Sequence, residues 1–356
     1  MSLNIGIVGG GKFGLMHLRV FTQLRRQGKV DEIALAEIDD DLRQERVDEF
    51  NVTGYPDHAT MLEEADLDAV TVVTPDFLHR EIALDIIGSG RHALVEKPLD
   101  TTVEGCREIA EAAEDAGVLV EVDFHKRFDP FHIQLREAIE DGELGVPEYG
   151  YAWMEDRIEV PRDWFPHWAP KSSSAWFLGV HMIDLFRWCI GGRNGRRVWA
   201  TGQRRKLKSL GVDAWDAVEA KIEFEDNISF HLDTSWILPD DFEAVVNQGI
   251  RVVGSEGLGE VDSQDRGARL TTPEGGHRTF NPVFFLEETL PTGETAYSGY
   301  GVASIAVFAD HVNHIKEGGT LEELEGHYAG PRDGLEVTRI AEGIHKSLEK
   351  GGIVEL

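Results

Sequence analysis

Residues 9–14 read Gly9-Gly10-Gly11-Lys12-Phe13-Gly14, which sets Gly9, Gly11 and Gly14 in the three slots of G-x-G-x-x-G. The loop follows the apolar run Ile5-Gly6-Ile7-Val8 and opens an amphipathic helical stretch at 13–27. Few short patterns restrict a fold as tightly once both flanks agree. Gly9 permits a tight turn, Gly11 lets backbone approach a pyrophosphate, and Gly14 lets helix and strand pack closely. The helix N-terminus, with Lys12 and Phe13 in its first turn, then favours phosphate charge. In a chain with 38 glycines the spacing alone is weak, so the strand–loop–helix context carries the reading.

The rest of the first 122 residues alternates short apolar runs with helical patterns, as a parallel sheet wrapped by helices requires. Strands are expected at 3–8, 33–37, 69–74, 92–95 and 118–122, and helices at 13–27, 40–50, 77–87 and 103–116. The last helix has Thr102 as its cap and Gly117 as its stop. The second strand ends in Glu37, 23 residues after Gly14. A carboxylate there accepts hydrogen bonds from a ribose 2′-OH and repels a 2′-phosphate. Neither Ile38 nor Asp39 offers a cation, so the expected cofactor is NAD rather than NADP.

A further helix is expected at 131–140, and from about Tyr149 the texture changes. Alternating segments at 148–157, 197–205, 214–224, 228–237 and 249–253 predict a large, mostly antiparallel sheet with one face against helices. Asp226-Asn227 marks a hairpin turn, and two helices follow at 302–316 and 334–348. The chain of 356 residues is therefore expected to form an α/β nucleotide-binding domain over 1–122 and an α+β substrate and oligomerisation domain over 123–330. Residues 331–356 supply a C-terminal helix and tail expected to pack back near the domain junction.

Sixty-five acidic side chains oppose 35 basic ones, for a net charge of −30, and division at residue 125 leaves −15 on each part. Acidity spread in this way argues against nucleic acid or an anionic membrane as partner. Among the bases, 24 are Arg and only 11 Lys, a balance that resembles proteins of salt-accumulating halophiles. At molar salt the screening length falls to about 3 Å, and such self-repulsion is tolerated. Cys106 and Cys189 show no paired spacing and are expected to be reduced thiols of a cytoplasmic protein. No apolar run reaches the length of a membrane span, and the first residues read directly into a strand rather than a signal peptide.

Four further segments complete a pattern: Thr74-Pro75-Asp76-Phe77-Leu78-His79, Glu96-Lys97-Pro98, Arg127-Phe128-Asp129-Pro130 and Gly179-Val180-His181-Met182-Ile183-Asp184. With the glycine loop, their order and spacing resemble the glucose–fructose oxidoreductase/inositol dehydrogenase family (Gfo/Idh/MocA) along essentially the whole chain. The resemblance implies a Rossmann domain plus a C-terminal domain whose open sheet mediates dimers or tetramers. It implies reversible hydride transfer between a nicotinamide and a carbinol carbon of a sugar, polyol or related compound. Lys97 would then lie near nicotinamide and substrate, His181 would be the acid/base, and Asp184 would bind or orient substrate. Thr74, Pro75 and His79 would line the cofactor cleft, with Glu96 beside the nicotinamide ribose. Arg127 is a further substrate-binding candidate.

Elementary chemistry agrees with these roles. Oxidising a secondary alcohol needs a base at the hydroxyl proton, and a nearby ammonium stabilises developing alkoxide charge. Histidine titrates near neutrality, and His181 and Asp184, at i and i+3, share one side of a helix. One departure stands out: the family's Asp-x-Gly-x-His slot places Phe177 where the carboxylate belongs. Either the substrate is more apolar, or Asp156, Glu155 or Asp184 supplies the carboxylate, or catalysis is weakened. Asp123-Phe124-His125-Lys126 forms an unusual charged run that extends the substrate cleft or serves the domain junction. The aromatic segment Arg162-Asp163-Trp164-Phe165-Pro166-His167-Trp168 suits stacking on a sugar, although sealing the second domain or an oligomer interface is the favoured expectation. No cluster has metal-ligand spacing, so no catalytic metal is expected. Two other readings keep the fold: an NAD-using glycosidase with transient oxidation, and a non-catalytic cofactor or sugar sensor.

Overall fold

A computed structural model describes residues 2–262, 268–272, 276–280 and 283–356. Two compact units emerge, each assembled from two stretches of chain: Met1–Phe128 with Val283–Leu335, and Asp129–Pro282 with Glu336–Leu356.

The first unit holds a six-stranded parallel sheet. Its strands are β1 (Leu3–Val8), β2 (Val30–Ala36), β3 (Thr53–Tyr55), β4 (Ala69–Val72), β5 (His92–Val95) and β6 (Val120–Val122), in the order β3-β2-β1-β4-β5-β6. The helices between them are α1 (Lys12–Arg26), α2 (Asp40–Phe50), α3 (His58–Glu64), α4 (His79–Gly88) and α5 (Val103–Ala116). β4 and β6 are buried along their whole length, and both are mostly apolar, with Thr71 and Glu121 as their buried polar members. The expected caps are present: the Thr102 hydroxyl accepts from Gly105 N–H, and Gly117 closes α5 with φ +65°. β3 and α3 escaped the sequence reading because each is too short for periodicity to show. The expected helix 77–87 begins instead as a 3-10 turn, Asp76–Leu78, before α4.

The second unit begins with α6 (Pro130–Glu140) and β7 (Pro147–Arg157), followed by α7 (Val180–Cys189), β8 (Gly195–Gln203), α8 (Lys206–Ser209), β9 (Ala217–Phe224), β10 (Ser229–Leu238), β11 (Val246–Gly254) and β12 (Leu258–Asp262). A small antiparallel pair, β13 (Ala268–Thr272) and β14 (Gly276–Phe280), completes this stretch. The chain then returns to the first unit with the hairpin β15 (Leu286–Thr289) and β16 (Thr295–Ser298) and with α9 (Tyr300–Lys316). In α9, Val302, Ile305, Phe308 and Val312 join the core formed by α1, β1 and β2. The chain ends with α10 (Pro331–Lys350) and β17 (Val354–Glu355).

The large sheet runs β12-β11-β7-β10-β9-β8-β17, antiparallel except between β7 and β10. The β9–β10 hairpin turns at Asp226 and Asn227, with φ +59° and +60°. One face of the sheet packs on α7, where Phe186 stacks on Phe230 at 4.2 Å. The opposite face leaves Tyr149, Tyr151 and Trp199 exposed. Cys106 and Cys189 are both buried, and neither forms a disulfide. No described helix is long and apolar enough to cross a membrane.

Candidate active site

In the first unit the sheet order reverses between β1 and β4, and open α/β sheets bind ligands beyond strand ends at such a point. The glycine loop leaves β1 there. Gly9 has φ +103°, and a Cβ on it would stand 2.4 Å from Val73 O. A Cβ on Gly14 would stand 2.0 Å from Gly9 O, so this residue is the close helix–strand contact. Gly11 differs: a Cβ on it would meet nothing within 4 Å, which is the open approach a pyrophosphate needs. No side chain caps α1 and its first turn holds no acid, so its amides suit an anion. The loop therefore fits a dinucleotide.

Glu37, one residue past β2, is fixed beside this loop. Its Oε2 accepts from Gly10 N–H at 2.7 Å and its Oε1 from Asp39 N–H at 2.9 Å. Two arginines that the sequence reading did not single out also meet the loop: Arg43 Nη1 donates to Glu37 O at 2.6 Å and Arg46 Nε to Gly10 O at 3.2 Å. Arg46 also pairs with Glu49 at 3.2 Å.

The segments after β4 and β5 are tied by His79, whose Nδ1 lies 2.7 Å from Pro98 O and Nε2 2.9 Å from Thr74 O. This buried ring sets the spacing of Thr74-Pro75 and Glu96-Lys97-Pro98. Glu96 N–H continues the ladder to Val72 O at 3.0 Å, and Lys97, 8% exposed, precedes a cis proline. Burial alone would push Glu96 up, but the His17 ring, Lys97 and His79 outweigh it and hold the carboxyl below its ordinary value.

The charged run after β6 packs within this unit. His125 stacks on Tyr300 at 5.6 Å and tilts against Phe284 at 5.0 Å, while Lys126 lies 5.9 Å over the Tyr300 ring. Arg127 forms an ion pair with Asp333 at 3.2 Å.

In the second unit, a π-helical turn, Ala175–Gly179, runs directly into α7. His181 and Asp184 both lie on α7, 3% and 0% exposed. α7 buries almost its whole circumference, as expected of a helix with so few polar positions. Phe177, one turn before His181, meets Trp168 at 5.1 Å, Phe165 at 6.1 Å and Trp236 at 6.2 Å. The aromatic stretch thus folds onto Phe177 inside its own unit. Trp236 was not foreseen, although its place in the inward alternation Phe230, Leu232, Thr234, Trp236 of β10 was the available signal. Of the alternative carboxylates, Glu155 accepts from Asn247 Nδ2 at 2.7 Å, and Asp156 is buried on β7.

A glycine loop at a parallel-sheet switch point, with an acid at the end of β2, defines a Rossmann domain of the kind that binds NAD. Residues 3–124 match the model of the oxidoreductase family with an NAD-binding Rossmann fold, and residues 132–259 match the GFO/IDH/MocA C-terminal domain. The chain belongs to the Gfo/Idh/MocA family and is a dehydrogenase acting on CH–OH groups. It is 29% identical over 339 residues to inositol 2-dehydrogenase 2 of Saccharopolyspora erythraea, covering 86% of this chain and 91% of the relative. Inositol 2-dehydrogenase of Rubrobacter xylanophilus is 25% identical over 358 residues, covering 94% and 97%. Among solved structures, GenD2 from gentamicin A biosynthesis, in complex with NAD, superposes with TM-score 0.81 at 25% identity, covering 100% of this chain and 96% of that one. Scyllo-inositol dehydrogenase from Lactobacillus casei, with NAD(H) and scyllo-inositol, gives TM-score 0.80 at 19% identity, covering 100% and 99%, and shares the fold.

Proposed function

We propose that this dehydrogenase oxidises a ring carbinol of a cyclitol or closely related polyol to the ketone. The observation that carries the reading is near full-length similarity to inositol 2-dehydrogenases in a chain that retains Lys97, His181 and Asp184. NAD, when bound, supplies the hydride acceptor. His181 takes the hydroxyl proton as the C–H bond breaks, and the Lys97 ammonium stabilises negative charge growing on that oxygen. Asp184 orients the reacting group, and Arg127 contributes to substrate binding. Gly9, Gly11, Lys12, Phe13 and Gly14 hold the pyrophosphate end, Glu37 the adenosine ribose, and Thr74, Pro75, His79 and Glu96 the nicotinamide end. Net hydride transfer fits the relatives better than transient oxidation in glycoside cleavage. The exposed Tyr149, Tyr151 and Trp199 support the open sheet face as a homo-oligomer contact. The acid-rich, lysine-poor composition supports work in a salt-rich cytoplasm.

The test is NADH formation in molar KCl with myo-, scyllo- and chiro-inositol against linear polyols and sugars. A cyclitol is expected to give the highest kcat/KM. Tight NADH binding without turnover of any alcohol would sink the proposal and leave a sensor. Lys97→Ala and His181→Ala should each lose about 10²–10⁴ in turnover while NADH binding persists. Unchanged kinetics in either variant removes that residue from the mechanism.

A further inference from the structure

Three ionisable side chains from three different elements meet inside the first unit, beneath the Glu96-Lys97-Pro98 turn. His17 comes from α1, Glu96 follows β5 and Asp123 follows β6. One ring nitrogen and one oxygen of each carboxyl group lie within 4.8 Å of one another. Their exposures are 0% for His17, 7% for Glu96 and 1% for Asp123. Neither ring nitrogen of His17 makes a hydrogen bond, nor does either carboxyl oxygen of Asp123, nor Oε1 of Glu96. His17 Nε2 stands 3.6 Å from Glu96 Oε1, beyond hydrogen-bond length.

Two ionised carboxylates this close in a dry interior repel strongly, and neither has donors enough to satisfy it. With Lys97 as ammonium, Glu96 and Asp123 together leave one negative charge in excess, and a single proton on Asp123, Glu96 or His17 removes it. The surroundings decide where that proton sits. Burial, the Glu96 carboxylate and then Glu121 push Asp123 well above the ordinary aspartate value, and Ser304 and Lys97 offset this only in part. Glu121 itself faces His311 Nδ1 at 2.7 Å. Glu96 is pulled the other way by His17, Lys97 and His79, so the charge rests on Glu96. The side-chain types would also suit a divalent cation, but that would set a second positive centre beside the Lys97 ammonium.

We propose that Asp123 is a buried carboxylic acid that keeps its proton at neutral pH beside the Glu96 carboxylate, and that this held proton balances the charge around Lys97. The geometry that carries it is the buried meeting of His17, Glu96 and Asp123 with no hydrogen bond among the three. Asp123 is thus a positioning residue acting through Lys97, and that consequence rests on the dehydrogenase reading. With one net anion against one ammonium, Lys97 is oriented without being drawn down between two carboxylates.

The experiment uses the whole protein and needs no substrate. Infrared difference spectra of wild type against Asp123→Asn at neutral pH should show the C=O stretch of a protonated carboxylic acid, lost in the variant. Thermal melts supply the second readout. A carboxyl whose folded-state value is raised gives stability complete below the unfolded value of about 4 and lost as pH rises through the folded one. Asp123→Asn should therefore melt with wild type near pH 4 and progressively above it as pH rises. If the variant fails to fold, carboxyl ¹³C NMR of aspartate-labelled wild type still reports one aspartate protonated at neutral pH. Absence of the infrared band and of that resonance overturns the proposal. So does a variant that melts below wild type by a constant margin at every pH, the mark of an ionised Asp123. A rise in wild-type melting with Mg²⁺, Mn²⁺ or Zn²⁺ that Asp123→Asn abolishes also overturns it and makes the cluster a cation site. Failure to oxidise any polyol would leave these readouts unchanged and remove only the link to Lys97.

Discussion

The two units bury polar groups in opposite ways. In the first, His17, Thr71, His79, Glu96, Lys97 and Asp123 are all buried on α1, α4, β4 or the segments that follow β5 and β6. In the second, the buried face of the sheet is mostly apolar, Ala152, Met154, Val218, Ile222, Phe230 and Leu232 with Asp156 and Thr234 as its polar members, and the candidate chemistry stands on a helix, at His181 and Asp184. Strand direction explains the contrast. Parallel strands all end on one edge, so residues just past β1, β4, β5 and β6 converge without further design. Antiparallel strands end on alternate edges, so a site in the second unit needs a separate element to gather its side chains, and α7, which carries His181 and Asp184, is the candidate.

The sharpest way to break this account of the first unit is to change its glycines one at a time. Gly14→Ala puts a methyl 2.0 Å from Gly9 O, so the loop must open. NADH affinity should fall by at least about a hundredfold, close to 3 kcal/mol, with a lower melting temperature. Gly11→Ala meets nothing within 4 Å and should melt within about 1 kcal/mol of wild type. It should still bind NADH about tenfold more weakly, because its methyl occupies the pyrophosphate approach. Titration of NADH fluorescence alongside thermal melts separates the two. Equal losses in both variants would mean that the loop is a structural turn only.

The same contrast decides what was legible in the sequence. The parallel sheet announced itself through β1, β4 and β5, and the strict geometry of the turn made Gly9 and Gly14 legible as backbone contacts. His17 was missed because it sits in an apolar-periodic helix between Met16 and Leu18, where a polar residue has meaning only once Glu96 and Asp123 arrive from distant strands. Asp123-Phe124-His125-Lys126 read as a charged run of the substrate cleft or the domain junction, yet Tyr300 and Phe284, more than 150 residues on, pack against His125. No local pattern signals that return of 283–335 to the first unit. In the second unit, the strands and the Asp226-Asn227 turn were readable, and Phe177 was visible as a departure. Its partners Trp168 and Trp236 were not, being fixed by packing and not by spacing.

A smaller effect sharpens the second unit. Phe177 is half-buried, and truncation removes its contacts with Phe165, Trp168 and Trp236 at once. Phe177→Ala should cost about 2 kcal/mol of stability, below the range for a fully buried phenylalanine. NADH affinity, a property of the first unit, should stay within twofold. Phe177→Leu should restore most of the stability. A Phe177→Ala variant that melts with wild type would show the aromatic cluster to be dispensable for packing and free to serve a ligand.

The smallest effect compares one half-buried histidine from each unit. In the first, Leu119 N–H donates to His92 Nδ1 at 2.9 Å, a bond that requires this nitrogen to be unprotonated. In the second, His345 Nδ1 donates to Ala341 O at 2.8 Å, while Nε2 faces the Ser173 hydroxyl at 2.8 Å. Burial lowers both pKa values, with Asp68 opposing it weakly at His92, and Ala341 and Glu349 at His345. A histidine lowered in the folded state is protonated first in the unfolded chain. Its contribution is therefore complete above the unfolded value of about 6.5 and lost as pH falls through the folded one. Melting temperature should decline from about pH 7 toward pH 5, and His92→Gln and His345→Gln should each flatten the slope by less than about 1 kcal/mol across that range. A slope flattened by one variant alone assigns the acid sensitivity to that unit. A slope unmoved by both would mean that neither ring is held neutral, and Leu119 N–H would then have lost the acceptor that the fold gives it.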